Sequence, residues 1–344
     1  MDSPAVSVRT KTISSPPDIA VIIPNWNGAR WLPACLAALD NQTLRPSEII
    51  LVDNGSTDGS PALAKAACPS LRVIQFPVNR GFAAAVNAGI RQTRASFIAL
   101  LNTDTRPTPD WLAVLARTLV AAPAQVAGIA SCMVDMADPT RIENAGDVLS
   151  WQGMAAKRGH GLPTSEFNQS ASIFSPCAGA AMYRRSFLEE VGLFDERFFA
   201  YLEDVDLGFR GRWMGFRFDY APEAVILHQG HGAGLPHARY VRLITRNRIL
   251  LLLKNLPVHA LLRHALQILY GQGYYLIAYR RPLQVICGWL MVVPHIPHLL
   301  RERRRIASLR RVPVHQVESW LIAFAPERPL RSAFPWRNKP AGRT

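Results

Sequence analysis

The chain has 344 residues, with 39 Lys+Arg against 25 Asp+Glu. That length supports a substantial core, arranged as one large domain with an appendage or as two domains. Its five cysteines are Cys35, Cys68, Cys132, Cys177 and Cys287, and their spacing is not paired. The pattern argues against a disulfide scaffold or a structural zinc site, and it favours a reducing compartment.

The positive charge is concentrated in the last third of the chain. Residues 241–344 carry 18 Lys+Arg against 3 Asp+Glu, whereas the first 240 residues are close to neutral. A basic segment of this kind indicates an anionic partner, either nucleic acid or anionic lipid, and charge alone does not choose between them. Residues 1–17 are polar and lack the apolar core of a secretory signal, so we predict a disordered tail there.

Short apolar segments alternate with helical patterns from residue 19 onward. The predicted strands are 19–23, 48–52, 72–76 and 97–101, and the predicted helices are 31–39, 62–67 and 83–93. This alternation is typical of an α/β fold with a mostly parallel, doubly wound sheet. Because right-handed crossovers gather the carboxyl ends of such strands at one edge, we expect Asn25, Asp53 and Asp104 to lie near one another.

The fourth predicted strand ends abruptly at Asn102-Thr103-Asp104, and Pro107 and Pro109 prevent the strand from continuing. At the carboxyl edge of an open α/β sheet, where ligands bind, a short carboxylate is suited to holding a divalent cation against a diphosphate. The competing explanation is that Asp104 only caps the following turn. This motif alone leaves both explanations open.

Two later segments carry candidate catalytic groups. Glu203, Asp204 and Asp206 begin a predicted helix after an aromatic stretch, and partial desolvation would raise a carboxyl pKa toward that of a general base. Simple helix capping is an adequate account of Asp206, and it is an open alternative for Asp204 and Glu203. His228 ends another predicted strand. A lone histidine is more often a structural hydrogen-bonding group than a ligand, but His231 lies nearby in a glycine-rich turn, which shifts the balance modestly toward a metal or phosphate contact.

Glycine-rich dinucleotide binding is not indicated. The turn at 24–30 has a single glycine and no G-x-G-x-x-G motif, and no acidic ribose partner follows the glycines at 230–234 at the expected distance. The small residues at 175–182 adjoin a predicted strand. They either allow a ligand to approach the backbone or permit tight packing.

Five segments in order resemble the family 2 glycosyltransferases, particularly their bacterial rhamnosyltransferase-like branch. They are IIPNWNG at 22–28, VDNGSTDG at 52–59, NRGFA at 79–83, LLNTD at 100–104 and FFAYLEDVD at 198–206. The resemblance extends from about Ile19 to Gly234. It implies a GT-A fold and an inverting transfer in a single displacement. We therefore expect a catalytic domain at 18–235 and a basic, amphipathic helical region at 236–344.

The resemblance also implies roles for single residues. Asp204 would deprotonate the acceptor hydroxyl, with Glu203 beside it, while Asp104 would hold Mg²⁺ or Mn²⁺ on the diphosphate with His228, or His231 as its substitute. The expected donor-binding residues are Pro24, Asn25, Asn27, Asp53, Asn54, Ser56, Arg80, Asn102 and Thr103, and the expected acceptor-binding residues are Gly179 and Ala180. Asn102 stands where the family usually has an aspartate, which puts its role as a direct metal ligand in doubt.

The basic third contains apolar segments at 249–253, 258–279 and 283–300. Charged residues, glutamines and prolines interrupt the last two, so amphipathic helices in the membrane interface fit better than spanning helices. Trp289, Tyr274, Tyr275 and Tyr279 are candidate headgroup-level anchors, and the arginines at 301–311 would attract anionic lipid. The alternative is a helical bundle packed on the catalytic domain. Nucleic-acid-binding signatures are absent from the sequence.

We therefore expect an inverting, metal-dependent glycosyltransferase. Its donor would be a nucleotide-diphosphate sugar, with dTDP-rhamnose as the first candidate, and its acceptor a glycan or a polyprenyl-linked sugar. The reaction would belong to surface polysaccharide synthesis, on the cytoplasmic face of a bacterial membrane. One alternative is a catalytically silent scaffold subunit, against which Asp53, Asp104, Asp204 and His228 argue. A nucleotidyltransferase would need a glycine-rich, Arg/Lys-bearing first loop, which residues 25–28 do not provide.

Overall fold

The computed structural model describes residues 17–230 and 235–322. The disordered tail predicted at 1–17 lies almost entirely outside the described residues. The strands are β1 Ile19–Asn25, β2 Glu48–Asp53, β3 Arg72–Gln75, β4 Phe97–Leu101, β5 Thr105–Pro107, β6 Val126–Asp135, β7 Ile142–Asn144, β8 Asp147–Ser150, β9 Ala155–Lys157, β10 Ala171–Ile173, β11 Ala180–Arg184, β12 Arg217–His228 and β13 Leu321–Ile322. The helices are α1 Leu32–Asp40, α2 Ser60–Ala67, α3 Phe82–Gln92, α4 Trp111–Ala121, α5 Arg185–Val191, α6 Glu203–Trp213, α7 His237–Asn255, α8 Val258–Arg263, α9 Ala265–Ala278, α10 Pro282–Leu290, α11 Ile296–Leu309 and α12 Val317–Trp320.

Four parallel strands, in the order β3-β2-β1-β4, form one half of a large central sheet. Alternate side chains of β1 enter opposite cores: Ala20 and Ile22 pack on one face, and Val21 and Ile23 on the other. Helix α3 covers the first face, and α1 and α4 cover the second. Burial on both faces explains why these strands read as continuous apolar runs. The α/β class and these first elements are confirmed.

The other half of the sheet is mixed rather than mostly parallel. Strand β11 pairs antiparallel with β4 and β6, and β12 runs parallel to β6 but antiparallel to β5 and β10. The predicted parallel arrangement therefore holds for β1 to β4 and for the β6–β12 pair, while β5, β10 and β11 run antiparallel to their neighbours. After α4, the strands β7 to β10 follow one another without an intervening α-helix, and antiparallel strands need no helical crossover.

The C-terminal helices pack on the α/β part of the molecule. A third core cluster joins Phe209 and Trp213 of α6 to Leu250 and Leu251 of α7 and Leu299 of α11. This is the packed helical bundle that the sequence left as an alternative for the basic region. These contacts join residues before and after position 235 into one core. The domain boundary expected between residues 235 and 236 stays a prediction.

The outer side of α8 to α11 exposes many large apolar side chains. They are Val258, Leu262, Leu266, Leu269, Tyr270, Ile277, Leu283, Ile286, Leu290, Val293, Ile296 and Leu300. Within the described residues, α10, α11 and the helical turn between them form one continuous segment, Pro282–Leu309. This segment is long and apolar enough to cross a membrane: its 18-residue apolar window has a mean hydropathy of 1.5, and 22% of that window is buried. Length and composition alone do not distinguish a spanning helix from one lying in the interface.

Two of the predicted membrane anchors are wrong. Tyr274 and Tyr275 are each only 6% exposed and belong to a small buried cluster with Met154. The Arg248 guanidinium lies 3.5 Å above the Tyr275 ring, which gives that ring a partner inside the protein. Tyr270, which is 52% exposed, is the tyrosine of α9 that reaches the surface.

A buried ion network holds α7 against α6. Lys254 Nζ lies 2.7 Å from Asp195 Oδ2 and 2.8 Å from Asp206 Oδ2, and Arg210 Nε donates to the same Asp206 oxygen at 2.9 Å. Asn255 donates to the other Asp206 oxygen at 2.9 Å. Burial would raise the pKa of Asp195 and Asp206, but the charge of Lys254, together with the hydrogen bonds and the other cations around each carboxylate, lowers both.

We expect Lys254→Met to lower the free energy of unfolding in urea by about 3–5 kcal/mol, because it leaves two buried carboxylates without their shared cation. Arg45→Met is the control. Its pair with Asp40 is exposed, and removing it should cost about 1 kcal/mol or less. Equal losses in the two variants would contradict the network's role.

The same network predicts the acid side of the stability profile. Both folded-state pKa values are lowered, so the network contributes stability above the unfolded carboxyl pKa of about 3.9, and this contribution is lost as pH falls further. As the pH falls from about 5 to about 2, the free energy of unfolding should therefore decrease less for Lys254→Met than for the wild type.

Candidate active site

The carboxyl ends of β1 and β2 are joined by side-chain hydrogen bonds. Asn25, at the end of β1, lies in register with Asp53 at the end of β2. Its amide nitrogen donates to Asp53 Oδ1 and to Ser60 Oγ, each at 2.8 Å, and to Ser56 Oγ at 3.1 Å. The proximity expected for Asn25 and Asp53 is therefore found. Pro24 lies one position earlier, paired with Val52 within the strands.

The turns that follow these strands interlock. Asn27, with a φ of 51°, accepts a hydrogen bond from the Thr57 N–H at 2.9 Å through its side chain, and its own N–H donates to Ser56 Oγ at 2.8 Å. Asn54 accepts from the Arg80 N–H at 2.7 Å. The predicted donor-binding residues of the first three turns thus form one connected group.

The turn after β1 also contacts the turn after β4. A Cβ atom at Gly28 would lie 2.3 Å from Asn25 Oδ1 and 3.3 Å from Thr103 Oγ1. Only a residue without a side chain allows this close approach. Asn25 Oδ1 is buried without a hydrogen-bond partner among the described residues. Polar groups from β1, β2 and β4 therefore meet at one edge, as predicted.

Asp104 is brought against His228 by the pairing of β5 with β12. Thr105 lies opposite His228 in this pairing, and the Gln229 N–H donates to the Asp104 carbonyl at 3.0 Å. His228 Nε2 then lies 3.3 Å from Asp104 Oδ2, and His228 Nδ1 lies 3.3 Å from Glu143 Oε2. The imidazole is held between two carboxylates.

These contacts shift the pKa values of the group. Burial would lower the pKa of His228, but Asp104 and Glu143 outweigh it and raise the pKa to about 9. Burial would raise the pKa of Glu143, but His228 and Lys157 lower it to about 2. Glu143 therefore lies, ionised, between Lys157 and the His228 ring, and that ring would have to give up a proton before its Nε2 could bind a metal.

The donor set fits a divalent cation that arrives with its substrate. Asp104 Oδ2 and His228 Nε2 are separated by 3.3 Å, close to the distance of about 3 Å between adjacent ligands of an octahedral ion. No cluster of three or more His, Cys, Asp or Glu side chains suited to a metal occurs in residues 17–230 and 235–322. Asp104 and His228 would be two protein ligands of such an ion, and diphosphate oxygens and water would have to supply the others. His231 lies outside the described residues.

Asp204 lies near the start of α6 and is partly exposed. Its Oδ2 accepts from the Ala178 N–H at 3.0 Å, and its Oδ1 accepts from the Val205 N–H at 2.8 Å. Burial raises its pKa, and these N–H donors offset part of the rise. Glu203 is only 5% exposed, and burial followed by the charge of Asp204 raises its pKa well above the usual value. Of the two residues, Asp204 is the more exposed.

A short series of contacts connects Asp204 to the turn that carries Asp104. Ala178 donates to Asp204, and the next residue, Gly179, accepts from the Asn102 N–H at 2.8 Å. A Cβ atom at Gly179 would lie 3.1 Å from the Asn102 amide. Asp104 and Asp204 therefore lie at the same edge of the sheet. Ala180 is 1% exposed within β11, so its side chain packs in the core.

Three charged residues near this edge are not predicted from the sequence. Glu143 contacts His228, Lys157 forms an ion pair with Glu143, and Asp147 is a buried carboxyl whose pKa is raised by burial and then by Asp204. They come from β7, β8 and β9, which carry no recognised motif. The only sequence signal is the presence of charged residues in a segment that the fold buries.

Cavity shape does not identify the site. A surface hollow of about 350 Å³ lies where β4 begins and β11 ends, which is the end of these strands away from Asn102 and Gly179. Phe97, Arg184 and Glu189 are among its lining residues. None of the polar groups described above contributes to it. The convergence of side chains, rather than a hollow, marks the candidate active site.

Comparison with known proteins agrees with this arrangement. A model of the family described as "Glycosyl transferase family 2" matches residues 20–192. An N-acetylglucosaminyl-diphospho-decaprenol L-rhamnosyltransferase from Mycobacterium tuberculosis is 29% identical over 247 residues, which cover 65% of this chain and 80% of that protein. Asp204 and His228 lie beyond the family match.

Solved structures show the same fold. The mannosyltransferase PcManGT of Pyrobaculum calidifontis, in complex with GDP-Man and Mn²⁺, aligns with a TM-score of 0.52 at 17% identity, covering 89% of this chain and 79% of that one. S. aureus TarS 1-349 aligns with a TM-score of 0.51 at 15% identity, covering 88% and 87%. These likenesses confirm the expected GT-A fold.

Proposed function

Because this chain belongs to glycosyltransferase family 2 and is a glycosyltransferase, we propose that it is an inverting, metal-dependent enzyme with Asp204 as its general base. The observation that carries the proposal is the contact series from Asp204 through Ala178 and Gly179 to the Asn102–Asp104 turn. It brings the carboxylate of a half-buried residue to the edge where Asp104 and His228 lie.

The proposed reaction is a single displacement. Asp204 takes the proton of the acceptor hydroxyl as its oxygen attacks the anomeric carbon, and the bond from that carbon to the diphosphate oxygen breaks on the opposite side. Asp104 and His228 would hold the divalent cation. When bound, that cation stabilises the charge that develops on the leaving diphosphate. Asn25, Asp53 and Arg80 would hold the nucleotide beside them.

Two features suit Asp204 to this role. The N–H groups of Ala178 and Val205 fix its carboxylate in one orientation. Burial raises its pKa, which makes the carboxylate a stronger base at neutral pH. Burial, followed by the charge of Asp204, raises the pKa of the neighbouring Glu203 carboxyl, which favours its neutral form and so reduces the negative charge next to the base.

The proposed donor is dTDP-rhamnose, and the proposed acceptor is a polyprenyl-diphosphate-linked sugar. Support comes from the rhamnosyltransferase-like segments and from the name of the M. tuberculosis relative. A catalytically silent scaffold subunit is the alternative. The hydrogen-bonded orientation of Asp204 and the paired Asp104 and His228 argue against it.

We further propose that α8 to α11 lie on the inner face of the cell membrane. A lipid-linked acceptor is held at such a surface, and these helices expose a broad apolar side. Arg280, Arg281, Arg301 and Arg304 are exposed in the same region, which suits anionic headgroups. Arg246, Arg248 and Lys254 are buried, so part of the basic excess serves packing instead.

We expect Asp204→Asn to lower kcat for transfer by about 10²–10⁴-fold while leaving the donor Kd unchanged, because only proton removal is lost. Glu203→Gln should cost less than about tenfold, since burial and Asp204 already favour the neutral form of its carboxyl. Initial rates with dTDP-rhamnose and calorimetric donor titration measure both effects. Wild-type turnover in Asp204→Asn would remove Asp204 from its role.

We expect Asp104→Ala to abolish the gain in donor affinity that Mn²⁺ provides, because it removes the carboxylate ligand. Glu143→Gln should weaken that gain by about 10–100-fold, because Glu143 orients the His228 ring. Calorimetric titration of dTDP-rhamnose with Mn²⁺ and with EDTA measures both. If both variants respond to Mn²⁺ as the wild type does, the metal assignment is wrong.

We expect a Leu266→Glu/Leu269→Glu variant to bind phosphatidylglycerol vesicles at least about tenfold more weakly than the wild type, because burying one leucine is worth about 1.5–3 kcal/mol. Both leucines are exposed, so thermal stability should not change. Leu63→Glu, at an exposed leucine of α2, is the control. Equal vesicle binding by all three proteins would exclude this surface.

A further inference from the structure

The segment that leads into Asp204 has an unusual backbone. Phe199, Tyr201 and Leu202 have positive φ values of 66°, 73° and 69°. None of them is a glycine, and a residue other than glycine held in such a conformation is strained. Such a backbone persists only where contacts from elsewhere hold it.

Those contacts come from the middle of α7. The Asn247 amide nitrogen donates to the carbonyl oxygens of Phe198 at 2.9 Å, Ala200 at 2.8 Å and Tyr201 at 2.7 Å. Arg246 Nη2 donates to the Phe198 carbonyl at 2.8 Å, and its Nε donates to Asn247 Oδ1 at 2.9 Å. Asn247 is fully buried, and Arg246 is 6% exposed.

The other side of the segment rests on the start of α3. The Phe199 carbonyl accepts from the Ala83 N–H at 3.3 Å, and a Cβ atom at Gly81 would lie 2.4 Å from the same oxygen. Gly81 has a φ of 93°, which glycine adopts without strain. Arg80, a proposed donor-binding residue, directly precedes it. Residues 198–202 are therefore clamped between α7 and the proposed donor site.

Helix α7 is itself fixed at its C-terminal end. Lys254 and Asn255 bind Asp206, and the indole N–H of Trp213 donates to the Asn255 carbonyl at 3.0 Å. Both ends of α6 are thus tied to the last turn of α7, while the middle of α7 holds the segment before α6. Each group of contacts can be altered separately.

We infer that Arg246 and Asn247 are positioning residues, which hold residues 198–202 so that Asp204 faces the acceptor hydroxyl. The inference rests on the proposed role of Asp204 as the general base. Both side chains are buried under the segment, so they act through the backbone and not on substrate. The helix that leads into the proposed membrane surface thereby sets the geometry of the base.

The first test compares the same substitution at two buried asparagines of α7. Asn247→Ser should lower kcat by about 10–100-fold, because displacing a catalytic group by about 1 Å has an effect of this size. Its donor Kd should stay within about threefold of the wild-type value. Asn255→Ser should lower the melting temperature but keep kcat near the wild-type value. Rates are measured with dTDP-rhamnose and Mn²⁺ well below both melting temperatures.

The second test asks whether Asn247 acts through Asp204. If it does, Asn247→Ser should cause no further loss of rate in an Asp204→Asn background, because the positioned group is already absent. Losses that multiply would overturn the inference, and so would a wild-type kcat in Asn247→Ser. Wild-type turnover in Asp204→Asn would instead refute the proposed base itself, whatever Asn247→Ser does.

If Asn247→Ser does not fold, Arg246→Lys carries the same test. It keeps the charge but removes the Nε bond to Asn247 and leaves fewer donors for the segment. We expect a smaller loss of kcat, of about three- to tenfold, with an unchanged donor Kd. An unchanged kcat in a folded Arg246→Lys protein would overturn the inference.

Discussion

The parallel pairing of β1 with β2 and with β4 is the constraint on which the active edge depends. It places Asn25 in register with Asp53 and brings Gly28 against Thr103. Parallel strands end at the same edge, so the polar residue after each strand is delivered there regardless of the sequence distance between them. Burial of the apolar strands stabilises the fold, and the turns at their ends carry the polar side chains of the candidate site.

The sequence predicts this half of the molecule well because its signals are local. The run Phe97–Leu101 is observed as a strand with the same bounds, and the turn after it carries Asp104. Apolar runs broken by Asn, Asp and Gly have few alternatives to buried strands with exposed turns. The five family-like segments add order and spacing to these local signals.

The remaining part depends on long-range contacts that no local pattern records. Glu143 belongs to a three-residue strand, yet the β6–β7 pairing and the end of β12 place it against His228. The orientation of β11 follows from how it enters between β4 and β6. Tyr275 has the composition of a membrane anchor, but its contact with Arg248 buries it. In each case tertiary packing overrides what the residue type favours.

Charge balance connects the site to its proposed cofactor. Asp53, Asp104 and Asp204 bring carboxylates to one edge, and the donor would add a diphosphate. Among the described residues at this edge, Lys157 already forms an ion pair with Glu143, which leaves its charge largely balanced. A nucleotide diphosphate entering such a site would gain affinity from a divalent cation, since the cation would offset both the phosphate charge and that of Asp104. This charge balance supports the proposed metal-dependent donor binding through Asp53 and Asp204 as well as Asp104, and it does not depend on position 102, where an asparagine replaces one expected carboxylate.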